Sequence, residues 1–397
     1  MKKIFIITEI FPPNVGATGQ LIEDIASIIS KYYETEVITA INDIDNSDRE
    51  RNYKVKRFNI KRRDKNKKSG RIINGLKFLF LSFFYLLKNS KGDILFFVSN
   101  PPYMPVIGLI LKLLRRDRIV YLIHDLYPEM AINLGYLKEK SIISKIWRSI
   151  NYTIFNSSSF VITLGSFMTQ NLKNLYPAIR NMNIIDIPNW ADKNRIYPIK
   201  DKKELKIRNG YENKFIIQYS GNLGLFHNTE IIIEVARLLK LDDIIFIING
   251  KGAKKDFLQK KIIEYDLKNV ILKDYVPLSQ LNVSLNLADV SFVTLDKRAS
   301  NLCVPSKFYS IIACGGVILA IMPEDTDIAR EIINNKIGFV VSNYDVNEIV
   351  KKILIFYNNP NLLEQFSNNS YDLFLKKYEK MIVMEEYKKV FKAVLND

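Results

Sequence analysis

Short runs of β-branched and aromatic residues alternate with amphipathic stretches along the first half of the chain. The apolar spacing from Leu21 to Ile29 predicts a helix, and it lies between two apolar runs. Strand, loop, helix and strand in this order are typical of βαβ units and of a parallel sheet. The predicted strands of this half are residues 4–7, 36–40, 94–98, 119–123 and 160–163.

The same pattern starts again at Phe215. Strands are predicted at 215–219, 244–248 and 270–272, a helix at 230–239, and glycine-containing loops follow the first two strands. The segment 188–203 is the best linker, because it combines Pro188 with a polar stretch. We therefore predict domains at 1–190 and 191–372, and a last helix at 373–397 that either closes the second domain or crosses back to the first.

Composition narrows the possible partners. A chain of 397 residues has room for two domains of roughly 150 residues each. Its 58 Lys and Arg exceed its 42 Asp and Glu, so an anionic partner is expected: a nucleic acid, a phosphate-bearing substrate or a membrane surface. Two cysteines, Cys303 and Cys314, exclude a disulfide framework and fit a reducing compartment. The N-terminus is interpreted as a first strand rather than a signal peptide.

A basic segment from Lys54 to Arg71 runs directly into the apolar stretch 72–87. The stretch is shorter than the roughly 20 residues that cross a bilayer. Residues 54–90 are therefore predicted to be an interfacial membrane anchor, or else a buried helix after a solvated loop. Binding to nucleic acid is a third interpretation, which is weakened because the aromatic residues do not alternate with the basic ones.

Four loops after predicted strands could carry chemistry, since ligands of doubly wound sheets lie at the carboxyl ends of the strands. The first contains Gly16 and Gly19, which let backbone amides approach a phosphate. The second contains His124 and Asp125, a pair suited to hydrogen bonding or proton transfer. The third, residues 219–228, and the fourth, in which Lys307 starts a helix after Pro305 and Ser306, would hold an anion.

Two further patterns are weak. Gly250-Lys251-Gly252 follows a strand, but Lys255 replaces the third glycine of a dinucleotide fingerprint. Asp43-Ile44-Asp45 spells a motif by which some sugar transferases bind a metal, yet its acidic surroundings favour a solvated loop. No spacing of His, Cys or Glu supports a metal site, and no cofactor is expected.

Taken together, these blocks resemble glycosyltransferase family four, whose members are retaining nucleotide-sugar transferases. The likeness covers nearly the whole chain, and it is strongest to bacterial surface-polysaccharide enzymes that include N-acetylfucosamine transferases of O-antigen and capsule clusters. It implies an α/β chain with the GT-B fold, in which two Rossmann-like domains face each other across a cleft. The blocks that carry the likeness are 12–19, 124–129, 220–224 and 305–315.

The resemblance also implies roles for individual residues. His124 would contact the donor sugar near the reacting carbon, Gly16 to Gly19 would lie near the donor phosphates, and Val276 would meet the base through its backbone. The candidates for catalysis are His124, Asp125 and Lys307. The candidates for donor binding are Gly16, Gly19, Gly221, Asn222, Gly224, His227, Lys251, Val276, Arg298, Pro305, Ser306 and Ser310.

The chain departs from the family pattern at four positions. Asn222 and His227 stand where many members have an arginine and a lysine, and Leu302 and Ser310 stand where many have glutamates. Lys307, Lys251 and Arg298 are the candidates to replace the lost positive charge.

The expected function is retaining transfer of a sugar from a UDP-sugar, with or without an N-acetyl group, to a lipid-linked oligosaccharide in the biosynthesis of O-antigen or capsule. It would take place in the cytoplasm at the inner face of the membrane, and no nucleic-acid partner is expected. The alternatives are a UDP-sugar epimerase of the same fold and an inactive transferase that acts as a membrane-bound assembly factor.

Overall fold

The computed structural model describes residues 2–13, 17–40, 46–60, 68–179 and 182–396. The chain divides into two compact units. The first unit comprises Met1–Pro188 together with Val383–Asp397, and the second comprises Asn189–Ile382. Each unit is built on one parallel sheet flanked by helices, which confirms the predicted α/β class with two Rossmann-like domains.

The first unit contains a seven-stranded sheet in the order β3-β2-β1-β4-β5-β6-β7 within the described ranges. All neighbouring strands pair in parallel. Side chains of β1, β2 and β4 are buried along their whole length, as expected for strands that are covered on both faces. The strands are β1 Ile4–Thr8, β2 Thr35–Thr39, β3 Lys54–Arg57, β4 Ile94–Val98, β5 Arg118–Leu122, β6 Phe160–Thr163 and β7 Ile184–Asp186.

Helices connect these strands. They are α1 Ala17–Ile29, α2 Lys68–Asn89, α3 Pro105–Arg115, α4 Glu129–Asn133, α5 Ile142–Ser157 and α6 Ser166–Leu175, with a short 3₁₀ helix at Asn46–Arg49. Crossovers between parallel strands are right-handed, so the connections from β3 to β4, β4 to β5 and β5 to β6 leave their helices on one side of the sheet. In agreement, α2 contacts α3, and α3 contacts α5.

The opposite side of this sheet is covered in part by the end of the chain. Phe96 and Phe97 are neighbours on β4 and point to opposite faces. A Cβ at Gly108 of α3 would lie 2.8 Å from the Phe97 ring. The Phe96 ring lies instead 6.3 Å from Tyr387 and 5.5 Å from Phe391, both on the last helix. Residues 383–396 therefore complete the core of the first unit.

The second unit contains a six-stranded parallel sheet in the order β10-β9-β8-β11-β12-β13. Its strands are β8 Phe215–Ser220, β9 Ile244–Asn249, β10 Val270–Lys273, β11 Val290–Thr294, β12 Val317–Ile321 and β13 Gly338–Val341. Its helices are α7 Lys202–Arg208, α8 Glu230–Leu238, α9 Lys255–Glu264, α10 Leu278–Leu287, α11 Lys307–Ala313, α12 Asp327–Asn334, α13 Val346–Tyr357 and α14 Pro360–Leu373. A 3₁₀ turn lies at Lys297–Ala299, a π-helical turn at Phe374–Tyr378, and the last helix is α15 Lys380–Asn396.

Two predicted segments differ in the structure. Lys54–Arg57, predicted as part of a basic loop or anchor, is the edge strand β3, in which Arg57 pairs with Asp48 at 2.5 Å. Residues 61–67 of that segment lie outside the described residues. The helix predicted from 373 begins at Lys380, because the chain first passes through the π-helical turn and the extended Glu379. Among the helices described, none combines the length and apolar character needed to span a membrane.

The packing of α15 on the first sheet makes a stability prediction. Phe391→Ala removes a fully buried ring and should lower the free energy of unfolding of the first unit by about 3–5 kcal/mol. Lys389→Ala is the matched control on the exposed side of the same helix, where its ion pair with Glu386 is worth about 1 kcal/mol or less. Urea unfolding followed by circular dichroism measures both, and equal midpoints for the two variants would contradict this packing.

Candidate functional site

Two loops at the carboxyl end of the second sheet are joined by their backbones. The loop after β8 and the loop after β9 exchange hydrogen bonds: the Gly221 amide donates to the Asn249 carbonyl at 2.9 Å, and the Leu223 amide donates to the Lys251 carbonyl at 2.9 Å. The Lys254 amide in turn donates to the Leu223 carbonyl at 3.0 Å. The two loops therefore form one rigid rim above β8 and β9.

Glycines make this close approach possible. A Cβ on Gly250 would lie 2.0 Å from the Gly221 carbonyl oxygen, and one on Gly252 would lie 2.4 Å from the Leu223 carbonyl oxygen. Gly252 has φ +155° and Gly221 has φ +151°, values that other residues rarely adopt. The partial dinucleotide fingerprint at Gly250 and Gly252 thus has a local explanation, since both glycines allow the rim to pack.

Lys307 reaches this rim from α11. Its Nζ lies 3.6 Å from the centroid of the Tyr219 ring, and a Cβ on Gly221 would be 3.2 Å from the same nitrogen. Tyr219 is fixed because its hydroxyl donates to the Asn222 carbonyl at 2.7 Å. The structure therefore brings together Gly221 and Lys307, which the sequence had placed in the third and fourth candidate loops.

The amine of Lys307 is buried and has no hydrogen-bond partner in the described part of the chain. Burial disfavours the charged ammonium, and it holds the pKa of Lys307 well below its ordinary value. The Tyr219 ring face is the compensation that the structure supplies. Such an amine would gain strongly from an anion placed within hydrogen-bond distance.

His227 lies in the same rim. Its Nδ1 is 3.3 Å from the Thr294 carbonyl oxygen, and burial together with the nearby Lys307 lowers the pKa of His227 to about 3. The imidazole is therefore neutral at physiological pH. Lys254 stabilises the loop by donating to the His227 carbonyl at 2.7 Å and to Glu230 at 2.8 Å.

The other basic candidates have carboxylate partners. Lys251 is exposed and lies 3.1 Å from Asp274. The guanidinium of Arg298 is half exposed and donates to both oxygens of Asp296, at 2.9 and 2.8 Å. Lys251 and Arg298 thus differ from Lys307, whose amine is buried and unpaired in the described part of the chain. Their ion pairs are exposed to solvent and can rearrange at little cost.

The remaining candidates of the second unit lie near these loops in sequence. Asn222 is exposed and its amide would lie 2.8 Å from a Cβ on Gly224. Val276 follows Tyr275, whose hydroxyl donates to the Lys251 carbonyl at 3.3 Å. Pro305 is buried, Ser306 precedes α11 without capping it, and Ser310 is half-buried on the next turn. Leu302, where many members of the resembled family have a glutamate, is buried.

In the first unit, Ser99 organises the His124 loop. Its buried hydroxyl accepts hydrogen bonds from the amides of His124 at 2.9 Å and Asp125 at 3.1 Å. Ser99 directly follows β4, so it joins the carboxyl ends of β4 and β5. Sequence reasoning missed this residue, although its position after an apolar strand was a usable signal.

Burial sets the protonation of this loop. It lowers the pKa of His124 to about 4 and raises the pKa of Asp125 to about 6. Nε2 of His124 is buried and lacks a hydrogen-bond partner among the described residues. At neutral pH the histidine is therefore neutral, and the aspartate is close to its titration range.

Residues 127–129 attach the His124 loop to α5. The Tyr127 ring stacks on Trp147 at 6.1 Å, and Arg148 donates to Glu129 at 2.9 Å. Asn151 also donates to the Tyr127 carbonyl, at 2.6 Å. Tyr127 and Glu129 thus anchor the loop to α5.

Two glycines of the loop after β1, Gly16 and Gly19, were candidates for donor binding. Gly19 is buried in α1, where a Cβ would make ordinary van der Waals contacts with Ile10 at 3.4 Å and with the Phe11 Cα at 3.5 Å, so the packing of the helix does not itself require a glycine. Gly16 and the motif Asp43-Ile44-Asp45 lie outside the described residues. Within the described ranges, no group of three or more His, Cys, Asp or Glu side chains is arranged to hold a metal ion.

Comparisons with known proteins agree with this architecture. The family model Glycosyl transferases group 1 matches residues 200–373. WbjE of Pseudomonas aeruginosa, a probable glycosyltransferase, is 27% identical over 349 residues, which are 85% of each chain. WcaI of Escherichia coli, assigned as a colanic acid biosynthesis glycosyltransferase, is 33% identical over 137 residues, which are 34% of each chain. The crystal structure of Anabaena Alr3699/HepE in complex with UDP-glucose superposes with a TM-score of 0.74 at 14% identity, covering 99% of this chain and 100% of that one.

Two parallel Rossmann-like sheets, one at the core of each unit, are those of the GT-B fold. The chain is a glycosyltransferase whose residues 200–373 match a group 1 domain, and its relative WcaI is assigned to colanic acid biosynthesis. The resemblance stated from the sequence and the assignment as a transferase are thereby confirmed.

The role of Ser99 can be tested directly. Ser99→Ala leaves two buried amides without an acceptor and should destabilise the first unit by about 1–3 kcal/mol. Ser149→Ala, at an exposed position of α5, should change stability by less than about 0.5 kcal/mol. Urea denaturation measures the difference, and equal stability of the two variants would show that Ser99 does not support the loop.

Proposed function

We propose that the second unit binds the diphosphate of a nucleotide sugar at Lys307. The proposed donor is a UDP-sugar, with or without an N-acetyl group on the sugar. The observation that carries this proposal is the buried amine of Lys307, which faces the rim formed by the loops after β8 and β9. A diphosphate would restore the charge that burial removes, through a charge-assisted hydrogen bond. The likeness to a protein solved with UDP-glucose supports the same donor class.

Lys307 would also act in the chemical step. When the bond between the anomeric carbon and the donor oxygen breaks, negative charge develops on the departing diphosphate. A cation already in place stabilises this charge without reorganisation of solvent. We propose that Lys251 and Arg298 stabilise the same charge less strongly, because their ion pairs with Asp274 and Asp296 would first have to rearrange.

The first unit would supply His124 and Asp125. With its pKa lowered to about 4, His124 is neutral and can hydrogen-bond a hydroxyl of the donor sugar. With its pKa raised to about 6, Asp125 can accept a proton from the acceptor hydroxyl near neutral pH. Retention of the anomeric configuration belongs to the proposal and follows from the family resemblance.

The proposed acceptor is a lipid-linked oligosaccharide in the assembly of O-antigen or capsule. The colanic acid assignment of WcaI supports a surface polysaccharide. Lipid-linked acceptors are held at a membrane, so the enzyme would work in the cytoplasm on the inner face of the membrane. An epimerase of the same fold would instead form product from a nucleotide sugar without an acceptor, and an assay without acceptor separates the two activities.

The contribution of Lys307 is testable by Lys307→Met. Loss of a hydrogen bond to a charged group should weaken UDP binding about 10–100-fold, while the melting temperature stays equal or rises because a buried amine is removed. Lys260→Met, at an exposed position of α9, is the control and should bind UDP as the wild type does. Titration calorimetry and thermal unfolding measure both; unchanged UDP affinity for Lys307→Met would refute the proposed donor site.

Asp125 predicts a pH dependence. Because the carboxylate is the form that accepts a proton, turnover should fall as the pH drops through about 6 and approach a tenfold loss per pH unit below it. Asp125→Asn should lower the rate by a factor of about 10²–10⁴ and abolish this acid limb. Initial rates from pH 5 to 8 with saturating donor measure the effect, and an acid limb that persists in Asp125→Asn would assign it to another group.

A further inference from the structure

One face of the first unit is apolar on its outside. The helices α2, α3 and α5 lie side by side on one side of the first sheet, since α3 contacts both of its neighbours. On α3 and α5, seven aliphatic side chains are exposed rather than covered, and Leu113 and Ile142 reach 85% and 75% exposure. These side chains are Ile110, Leu113, Leu114, Ile142, Ile143, Ile146 and Ile150.

The spacing of these residues places them on outward faces. Ile110, Leu113 and Leu114 follow the helical intervals i, i+3 and i+4, and Ile142, Ile146 and Ile150 follow intervals of four. On α2, Leu76, Phe80 and Phe84 are exposed with the same four-residue interval. Three neighbouring helices thus present apolar ridges on the same side of the unit, which far exceeds the isolated exposed apolar residues common on soluble proteins.

The charge of this three-helix face is of one sign. The helices α2, α3 and α5 together hold eight Lys and Arg and contain no Asp or Glu. By contrast, α1 contains Glu23 and Asp24, and α15 contains Glu385 and Glu386 beside four lysines. The three helices with apolar ridges therefore carry basic residues without acidic ones.

We propose that the three-helix face docks on an anionic bilayer, with its apolar ridges at the level of the acyl boundary and its basic side chains among the lipid headgroups. An apolar surface with basic residues and no acidic ones is complementary to anionic lipid. A second copy of the chain would bring two positive faces together and is disfavoured by repulsion. This inference rests on the proposed location at a membrane and not on the donor site, since the face and the rim belong to different units.

The experiment is sedimentation of the full chain with phosphatidylglycerol–phosphatidylethanolamine vesicles and with phosphatidylcholine vesicles. The wild type should sediment with the anionic vesicles, and Leu113→Gln/Leu114→Gln/Ile143→Gln/Ile146→Gln should lower its partition coefficient at least tenfold. Each of these side chains is exposed, so the variant should fold. The matched control Phe257→Gln/Ile263→Gln removes exposed apolar side chains of α9 and should bind as the wild type does.

A second variant tests the electrostatic part. Lys77→Glu/Lys145→Glu reverses two exposed charges of the face and should weaken binding to anionic vesicles, with a loss that is greatest at low salt. UDP affinity is measured in parallel and should be unchanged in every variant, which separates this face from the donor site. The proposal is overturned if the wild type stays in the supernatant, if the fourfold variant binds as the wild type does, or if the wild type is a dimer that this variant dissociates.

Discussion

A lysine amine that is removed from water without a hydrogen-bond partner is costly, and the candidate site of this protein depends on one. Lys307 places its Nζ against the Tyr219 ring and beside Gly221, where no carboxylate of the described chain pairs with it. The ring face returns only part of the solvation that burial removes. The structure thus lowers the pKa of the Lys307 amine, and an anionic ligand would stabilise its charged form.

The rest of the second sheet keeps this arrangement in place. Gly250 and Gly252 allow the backbones of the loops after β8 and β9 to pack directly against each other. This packing fixes Gly221 beside the Lys307 amine. Burial acts at the first unit as well, where it lowers the pKa of His124 to about 4 and raises the pKa of Asp125 to about 6. Burial and not pairing causes these shifts, and Nε2 of His124 and Nζ of Lys307 have no hydrogen-bond partner among the described residues, so both can interact with a ligand.

Much of this could be predicted from the sequence, and the exceptions have physical causes. Strands that are covered on both faces are continuous apolar runs, so β1, β4 and β8 were evident. The edge strand β3 was missed because its alternating lysines resemble a solvated loop. The loops of Gly221 and Lys307 were both predicted to hold an anion, whereas the support from Ser99 depends on a contact between two strand ends. The exposed ridges of α3 and α5 could not be foreseen, since the same apolar spacing would suit a buried helix.

The charge state of Lys307 can be measured most directly through the protons exchanged when UDP binds. Calorimetric titrations with UDP at pH 8 in buffers of different ionisation enthalpy report this number, and the phosphates, with a second pKa of about 6, are already ionised there. If the amine is neutral in the free protein and charged in the complex, the wild type should take up close to one proton per UDP, and Lys307→Met should take up none. Tight binding without proton uptake, or equal uptake by Lys307→Met, would contradict the account.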